Sequence, residues 1–195
     1  MEQAKKTIVI NLHGGPGVGK STIMAGIFFI LKDQHLSCEM ASEYAKDLVY
    51  EKRNETFKDE LYIFAKQWHR LFLLKGKVDY VITDRPLILT KYYSDAWGTQ
   101  NEELNALVVK SFKSYNNVNI LVDRVYPYEH EGRNQDAVLA DKIQQGIKDD
   151  LDEEGIDYLE MPGIPATAQT IADWVIKGEI EKHVDQGAKT PILRK

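Results

Sequence analysis

Gly14 to Ser21 read Gly-Gly-Pro-Gly-Val-Gly-Lys-Ser, a complete G-x-x-x-x-G-K-[ST] phosphate loop. No other stretch of the chain limits its fold as tightly. Such a loop turns backbone N–H groups inward as an anion cradle, and the helix after it adds its positive N-terminal end. The string therefore belongs between a strand and a helix. Thr7–Leu12 (TIVINL) is β-branched and apolar, as a buried parallel strand requires. Ser21–Leu31 (STIMAGIFFIL) is apolar, free of proline and long enough for a helix. Lys20 is expected to reach the outer phosphates of a nucleoside triphosphate, and Ser21 to offer its hydroxyl to Mg²⁺. Gly15, Gly17, Val18, Gly19 and Thr22 complete the expected nucleotide-binding set, with Pro16 stiffening the turn.

Beyond the loop, apolar runs alternate with helix-length segments, the pattern of an α/β fold with a mostly parallel sheet. Strands are predicted at Thr7–Leu12, Leu36–Met40, Tyr80–Thr83, Val118–Val122 and Ile156–Glu160. Helices are predicted at Lys20–Lys32, Tyr44–Lys52, Lys58–Lys75, Glu102–Tyr115, Asn134–Glu154 and Ala166–Lys177. The expected architecture is a P-loop NTPase: three layers, α/β/α, around a five-stranded parallel sheet, with a mobile lid. One domain over residues 1–178 suits a chain of 195 residues, leaving 179–195 as a tail with a short helix and a loose end.

Apolar residues make up 43% of the chain, enough for a full core, and the net charge is −5 with no long basic run. Duplex nucleic acid is therefore disfavoured as the main partner, since phosphate contacts need Lys and Arg. Cys38 is the only cysteine, which excludes an internal disulfide or a cysteine zinc cluster and fits a reducing cytoplasm. Met1–Lys6 is polar, and Ile23–Leu31 is far too short to cross a membrane, so neither a leader nor a membrane anchor is expected. A homodimer stays open.

In open α/β sheets ligands sit beyond the carboxyl ends of the strands. The residues just after each predicted strand should therefore converge. Glu43, with Lys46 close by, follows the second strand, and Asp84–Arg85 follow the third. Arg124 follows the fourth, and Gly163 the fifth. Phosphoryl transfer needs a phosphate cradle, a metal, cations around the moving group and a group that orients the acceptor. Asp84 can hold Mg²⁺ beside Ser21, or it can simply cap the turn before Pro86. Arg85 can grip a substrate through its planar fork, or sit in a structural ion pair. Glu43 can orient or deprotonate an attacking hydroxyl, or lie solvated at the surface. The polar stretch Tyr126–Gln135 (YPYEHEGRNQ), ahead of a long amphipathic helix, reads as a lid over about 124–135 that excludes water. Arg133 and Arg124 would cover the transferring phosphate, whereas His130 reads as lid surface. Phe57, Leu61, Phe64, Trp68, Leu71 and Phe72 are spaced as the apolar face of one helix, on which the Gln67 amide reads a base edge or faces water.

These markers, GGPGVGKST at Gly14–Thr22, SEYAKD at Ser42–Asp47, ITDRP at Ile82–Pro86 and RVYPYEHEGRNQ at Arg124–Gln135, give the chain a family likeness. It resembles small P-loop kinases of the nucleoside and nucleotide kinase group, in particular nicotinamide-ribonucleoside-kinase-like ATPases, some of them carried by phages. The resemblance runs over Thr7–Ile176. It implies ATP- and Mg²⁺-dependent phosphoryl transfer to a nucleoside, a nucleoside monophosphate or a related ribosyl compound. Glu43 would be the acceptor-side base, Asp84–Arg85 the acid–arginine pair, Arg133 the lid arginine, and Gly163 with Pro165 the flank of the adenine seat. Proline follows the acid–arginine pair where relatives carry serine or tyrosine, which leaves the acceptor open. Two rival functions remain: a nucleotide-gated ATPase or switch protein, and a kinase acting on modified bases in DNA. The first lacks an apolar strand ending in Asp-Glu, and the second sits poorly with the acidic balance.

Overall fold

The computed structural model describes residues 6–99, 101–128 and 136–185. Five strands, β1 (Ile8–His13), β2 (Cys38–Ala41), β3 (Tyr80–Thr83), β4 (Asn116–Asp123) and β5 (Leu159–Pro162), form one sheet. Every pairing is parallel and the order is β2-β3-β1-β4-β5. Parallel neighbours need long crossovers. These are supplied by α1 (Lys20–Asp33), α2 (Ala45–Tyr50), α3 (Glu60–Leu74), α4 (Leu89–Ala96), α5 (Glu102–Lys113) and α6 (Ala137–Glu153), with α7 (Pro165–Ile176) closing the chain after β5. The order of the strands reverses at β1, so the loop after β1 opens at the switch point where such sheets bind ligands.

Strand alternation divides the core in two. Ile8, Ile10 and Leu12 pack with Ile23, Ile27 and Leu31 of α1 and Ile171 and Val175 of α7. On the other face Val9 joins Phe64 and Leu71 of α3, Val108 and Phe112 of α5, and Ile143 and Ile147 of α6. The three layers are as expected. Cys38 is a buried free thiol in the first core, as its apolar character suggests. No helix among the described residues is long and apolar enough to cross a membrane.

Several element boundaries differ from expectation for local reasons. The helix predicted over Lys58–Lys75 is found as α3 but begins at Glu60, after a separate 3₁₀ turn at Asn54–Lys58; Asp59 starts it, its carboxylate accepting the Tyr62 N–H at 3.0 Å. Phe57 therefore leaves the α3 stripe and packs with Ala45, Leu48 and Ile63. Helix α4 is an addition that the sequence does not announce. It follows Pro86 and carries Thr90, Tyr92 and Tyr93, residues of modest helix propensity, so tertiary packing decides it. The fifth strand starts three residues later and ends two later than predicted, with Ile156 a buried core residue ahead of it. After α7 the chain forms a 3₁₀ turn at Ile180–His183, with Ile180 buried in the first core. Val184 then bridges Val118 of β4.

A ladder of buried amides joins β1 to β4. The Asn11 amide donates to the side-chain oxygens of Asn117 (3.0 Å) and Asn119 (3.2 Å). Asn119 also meets His13 Nε2 at 3.2 Å and donates to Asp157 O at 3.0 Å. Burial is the main reason that the His13 pKa falls to about 4, outweighing the Asn119 contact, with Lys20 adding repulsion. The imidazole directly ahead of the phosphate loop is thus neutral. Asn119→Leu should leave Asn11, His13 and Asp157 short of partners. Unfolding in urea should show a loss of about 2–3 kcal/mol with an unchanged m-value; wild-type stability would show that the ladder carries no load.

Candidate active site

The phosphate loop is held from several sides. Gly14 and Gly19 adopt φ of 135° and 98°, in the range that favours glycine. Lys20 Nζ donates to the carbonyls of Gly14 (2.7 Å) and Gly15 (2.8 Å), which lays the ammonium along the loop. Gly163, at the start of the turn into α7, packs so closely that a Cβ there would lie 2.0 Å from Val18 O. The Val18 side chain is buried in the core, so only its backbone lies at the loop. Arg124 donates to Pro16 O at 3.2 Å and pairs with Asp141 of α6 at 2.9 Å.

Asp84 is the central junction. One carboxylate oxygen accepts the Ser21 hydroxyl at 2.6 Å, and the other accepts the Glu43 N–H at 2.9 Å. The tips of β2 and β3 are thereby tied to the first turn of α1. Arg85, buried beneath them, donates to Glu43 (3.3 Å) and to Glu60 (3.2 Å), and its guanidinium lies 4.8 Å from the centre of the Tyr93 ring. Burial opposes the Arg85 charge, but Glu60 and Glu43 outweigh it and its pKa rises. Burial also pushes the Tyr93 phenol up.

A cleft of about 470 Å³ runs from the loop to these groups. One end is lined by Pro16, Gly17, Gly19, Lys20, Ser21 and Thr22. The other is lined by Glu43, Lys46, Glu60 and Arg85, with Phe57, Tyr93 and Trp97 as aromatic walls. Lys20, Ser21, Glu43 and Arg85 thus share one cavity, and Asp84 sits behind it, bonded to Ser21. Arg133, together with Glu129, His130 and Glu131, lies outside the described residues.

Gln67 is placed differently from expectation. It is buried, and its amide donates to Ala41 O (3.2 Å) and Thr83 Oγ1 (3.3 Å) while accepting the Tyr44 N–H at 3.2 Å. It fastens the ends of β2 and β3 together and offers nothing to a base. Glu60, Tyr93, Trp97 and Gln144 were not anticipated. Glu60 looks in sequence like an ordinary first-turn acid of α3, and the two aromatics ride on the unannounced α4. Gln144 accepts the Gly15 N–H at 2.6 Å from α6, a contact for which the sequence carries no signal.

A loop-and-helix phosphate cradle at the switch point of a parallel sheet defines a P-loop nucleotide-binding protein. The comparisons agree. The AAA domain family matches residues 9–168, and the chain belongs to that family. No curated protein matches it. Among the solved structures that share its fold are two with a TM-score of 0.62 at 14% identity, each comparison covering 97% of this chain and 52% of the other. They are NadR protein in complex with NAD and AMP-PNP, and NadR protein in complex with NR. The chain spans about half the length of those proteins.

Glu60 supplies a test of the buried charge cluster. Burial is the largest influence on its carboxyl; Arg85 opposes it, and Glu43 and Asp59 add repulsion, so the pKa rises from 4.5 to about 7. A raised folded-state pKa means that the folded protein binds the proton more tightly than the unfolded chain. The stability this contributes is complete below pH 4.5 and is lost as pH rises through 7. Glu60→Gln should remove that slope. Relative to wild type, the variant should gain on the order of 3 kcal/mol between pH 4.5 and pH 8 in denaturant titrations. A difference that does not vary with pH would mean that Glu60 is ionised throughout.

Proposed function

We propose that the protein transfers the γ-phosphoryl group of ATP to a hydroxyl of a nucleoside or related ribosyl small molecule. The observation that carries this reading is the chain of contacts from Ser21 through Asp84 to Glu43, which joins a donor cradle to an acceptor wall in one cleft. A protein that only binds or hydrolyses nucleotide needs the first half of that cleft. The second half, with its carboxylate and aromatic walls, suits a flat heterocycle bearing a hydroxyl. The solved NadR complexes with NR and with AMP-PNP, on the same fold, are consistent with this assignment.

In this mechanism the loop amides and Lys20 hold the β- and γ-phosphates. Ser21 and Asp84 present two hard oxygen donors 2.6 Å apart beside the loop, which suits Mg²⁺ held by few protein ligands and several waters. Bound there, Mg²⁺ would neutralise charge on the phosphates. Glu43 accepts the proton of the attacking hydroxyl or holds it in line. Arg85 fixes the Glu43 carboxylate from beneath and shapes the acceptor end. Arg124, beside the loop at Pro16, and Arg133 would close over the transferring group. Gly163 supports the loop from below and flanks the donor base.

A 5′-phosphate on the acceptor would need positive charge at this end of the cleft. Arg85 is already held by Glu43 and Glu60, which leaves Lys46 of the cleft wall as the cation for one, so the acceptor panel below separates nucleoside from monophosphate.

Lys20→Ala should lower kcat/KM at least about 100-fold while leaving the melting temperature near wild type. Glu43→Gln should lower kcat by about 10²–10⁴ with a small change in KM for ATP. Both are read by coupled ADP release across a panel of nucleosides, nucleoside monophosphates and nicotinamide riboside. ATP turnover that no small acceptor stimulates, or full activity in Lys20→Ala, would overturn the assignment.

A further inference from the structure

Helix α6 lies across the front of the phosphate loop. A Cβ on Gly15 would stand 2.7 Å from Ala140 O and 3.2 Å from Gln144 N, so the helix backbone abuts the loop directly. From the same face Asp141 holds Arg124, which donates to Pro16 O, and Gln144 holds Gly15. The Gln144 side chain is fixed in turn: its amide nitrogen donates to Val122 O at 3.1 Å and Asp123 Oδ1 at 3.3 Å. Its oxygen accepts the Gly15 N–H at 2.6 Å.

That N–H and the Gly14 carbonyl belong to one peptide unit. No peptide bond among the described residues is cis, so the two groups point in opposite directions across a rigid plane. One side of the plane is pinned by Gln144. The other side receives the Lys20 ammonium at 2.7 Å. Rotation of this plane would break both contacts at once. Gly14 and Gly15, free of side chains, offer little resistance of their own to such a rotation.

We infer that Gln144 is a positioning residue for Lys20, acting through the Gly14–Gly15 peptide, and that it sets where the ammonium stands when a triphosphate arrives. The inference rests on the nucleotide-binding reading of the loop and goes beyond it, since it assigns a role to a residue on a helix that lines no part of the cleft. Gln144 is not among the residues that line the cleft. Its effect should therefore vanish where there is no ammonium to place.

The test is a double-mutant cycle on the full chain, read as the affinity for AMP-PNP with Mg²⁺ by calorimetry. Gln144→Leu should weaken binding about tenfold, the effect of losing one buried hydrogen bond to the loop. In a Lys20→Ala background the same substitution should cost nothing further, because the group it positions is gone. Losses that add in full would assign Gln144 a purely structural role and overturn the proposal, as would wild-type affinity in Gln144→Leu. Should Gln144→Leu fail to fold, Gln144→Asn withdraws the oxygen by one methylene and is read in the same way. Wild-type protein that does not bind AMP-PNP would overturn the nucleotide reading itself, a result distinct from wild type binding and the variant matching it.

Discussion

The carboxylate of Asp84 is the contact on which the geometry of the cleft depends. It stands at the end of β3, one strand away from the phosphate loop, and spends one oxygen on the Ser21 hydroxyl and the other on the Glu43 backbone. Removing it would free the first turn of α1 from the loop after β2. In the proposed transfer, the two halves of the cleft would then lose their direct tie between Ser21 and the Glu43 backbone. Phosphoryl transfer depends almost wholly on position and charge, and a misplacement of one ångström is enough to cost two orders of magnitude in rate. A short, charge-assisted contact between the halves is the economical way to hold that distance.

Parallel pairing explains why such a contact exists. All five strands point the same way, so five carboxyl ends meet at one edge. Loops leaving that edge carry backbone groups that cannot join the sheet and need partners. Gln67 supplies them between β2 and β3, Gln144 between β4 and the loop, and Gly163 meets Asp123 O at 2.8 Å between β4 and β5. Amide side chains suit this work because each both donates and accepts.

The same reasoning marks what could be read from the chain and what could not. The loop motif is local: eight consecutive residues dictate a turn, and the flanking strand and helix follow from apolar pattern alone. Asp84 and Glu43 were legible because strand ends converge by rule once the sheet is parallel. Glu60 was not, because its place beside Arg85 depends on where α3 starts, and that start is decided by Asp59 capping after a 3₁₀ turn. Gln67 fits a base edge or water equally in sequence because polarity on a helix face says only that a partner exists; the partners are Ala41 O, Thr83 Oγ1 and the Tyr44 N–H at the ends of β2 and β3. Helix α4 escaped because Thr90, Tyr92, Tyr93 and Ser94 are weak helix formers that become helical through packing against α3, α5 and α6. The aromatic wall of the cleft went with it.

Several buried polar groups serve this edge of the sheet. A His13 held neutral and its partner Asn119 lie beneath the phosphate loop, and Arg85 with Glu60 lies at the other end of the cleft. Burying such groups costs free energy even when they are paired, and a hydrophobic replacement of similar volume would often be neutral or better. A fold selected for stability alone would put leucines there. A neutral His13 beneath the loop avoids placing a second cation near Lys20. An Arg85 shared between Glu43 and Glu60 keeps one carboxylate oriented toward the cleft while the other takes up the remaining charge. Such pairing sets the position of Arg85 and of the Glu43 carboxylate before any ligand enters, which is what electrostatic catalysis would require in the proposed transfer.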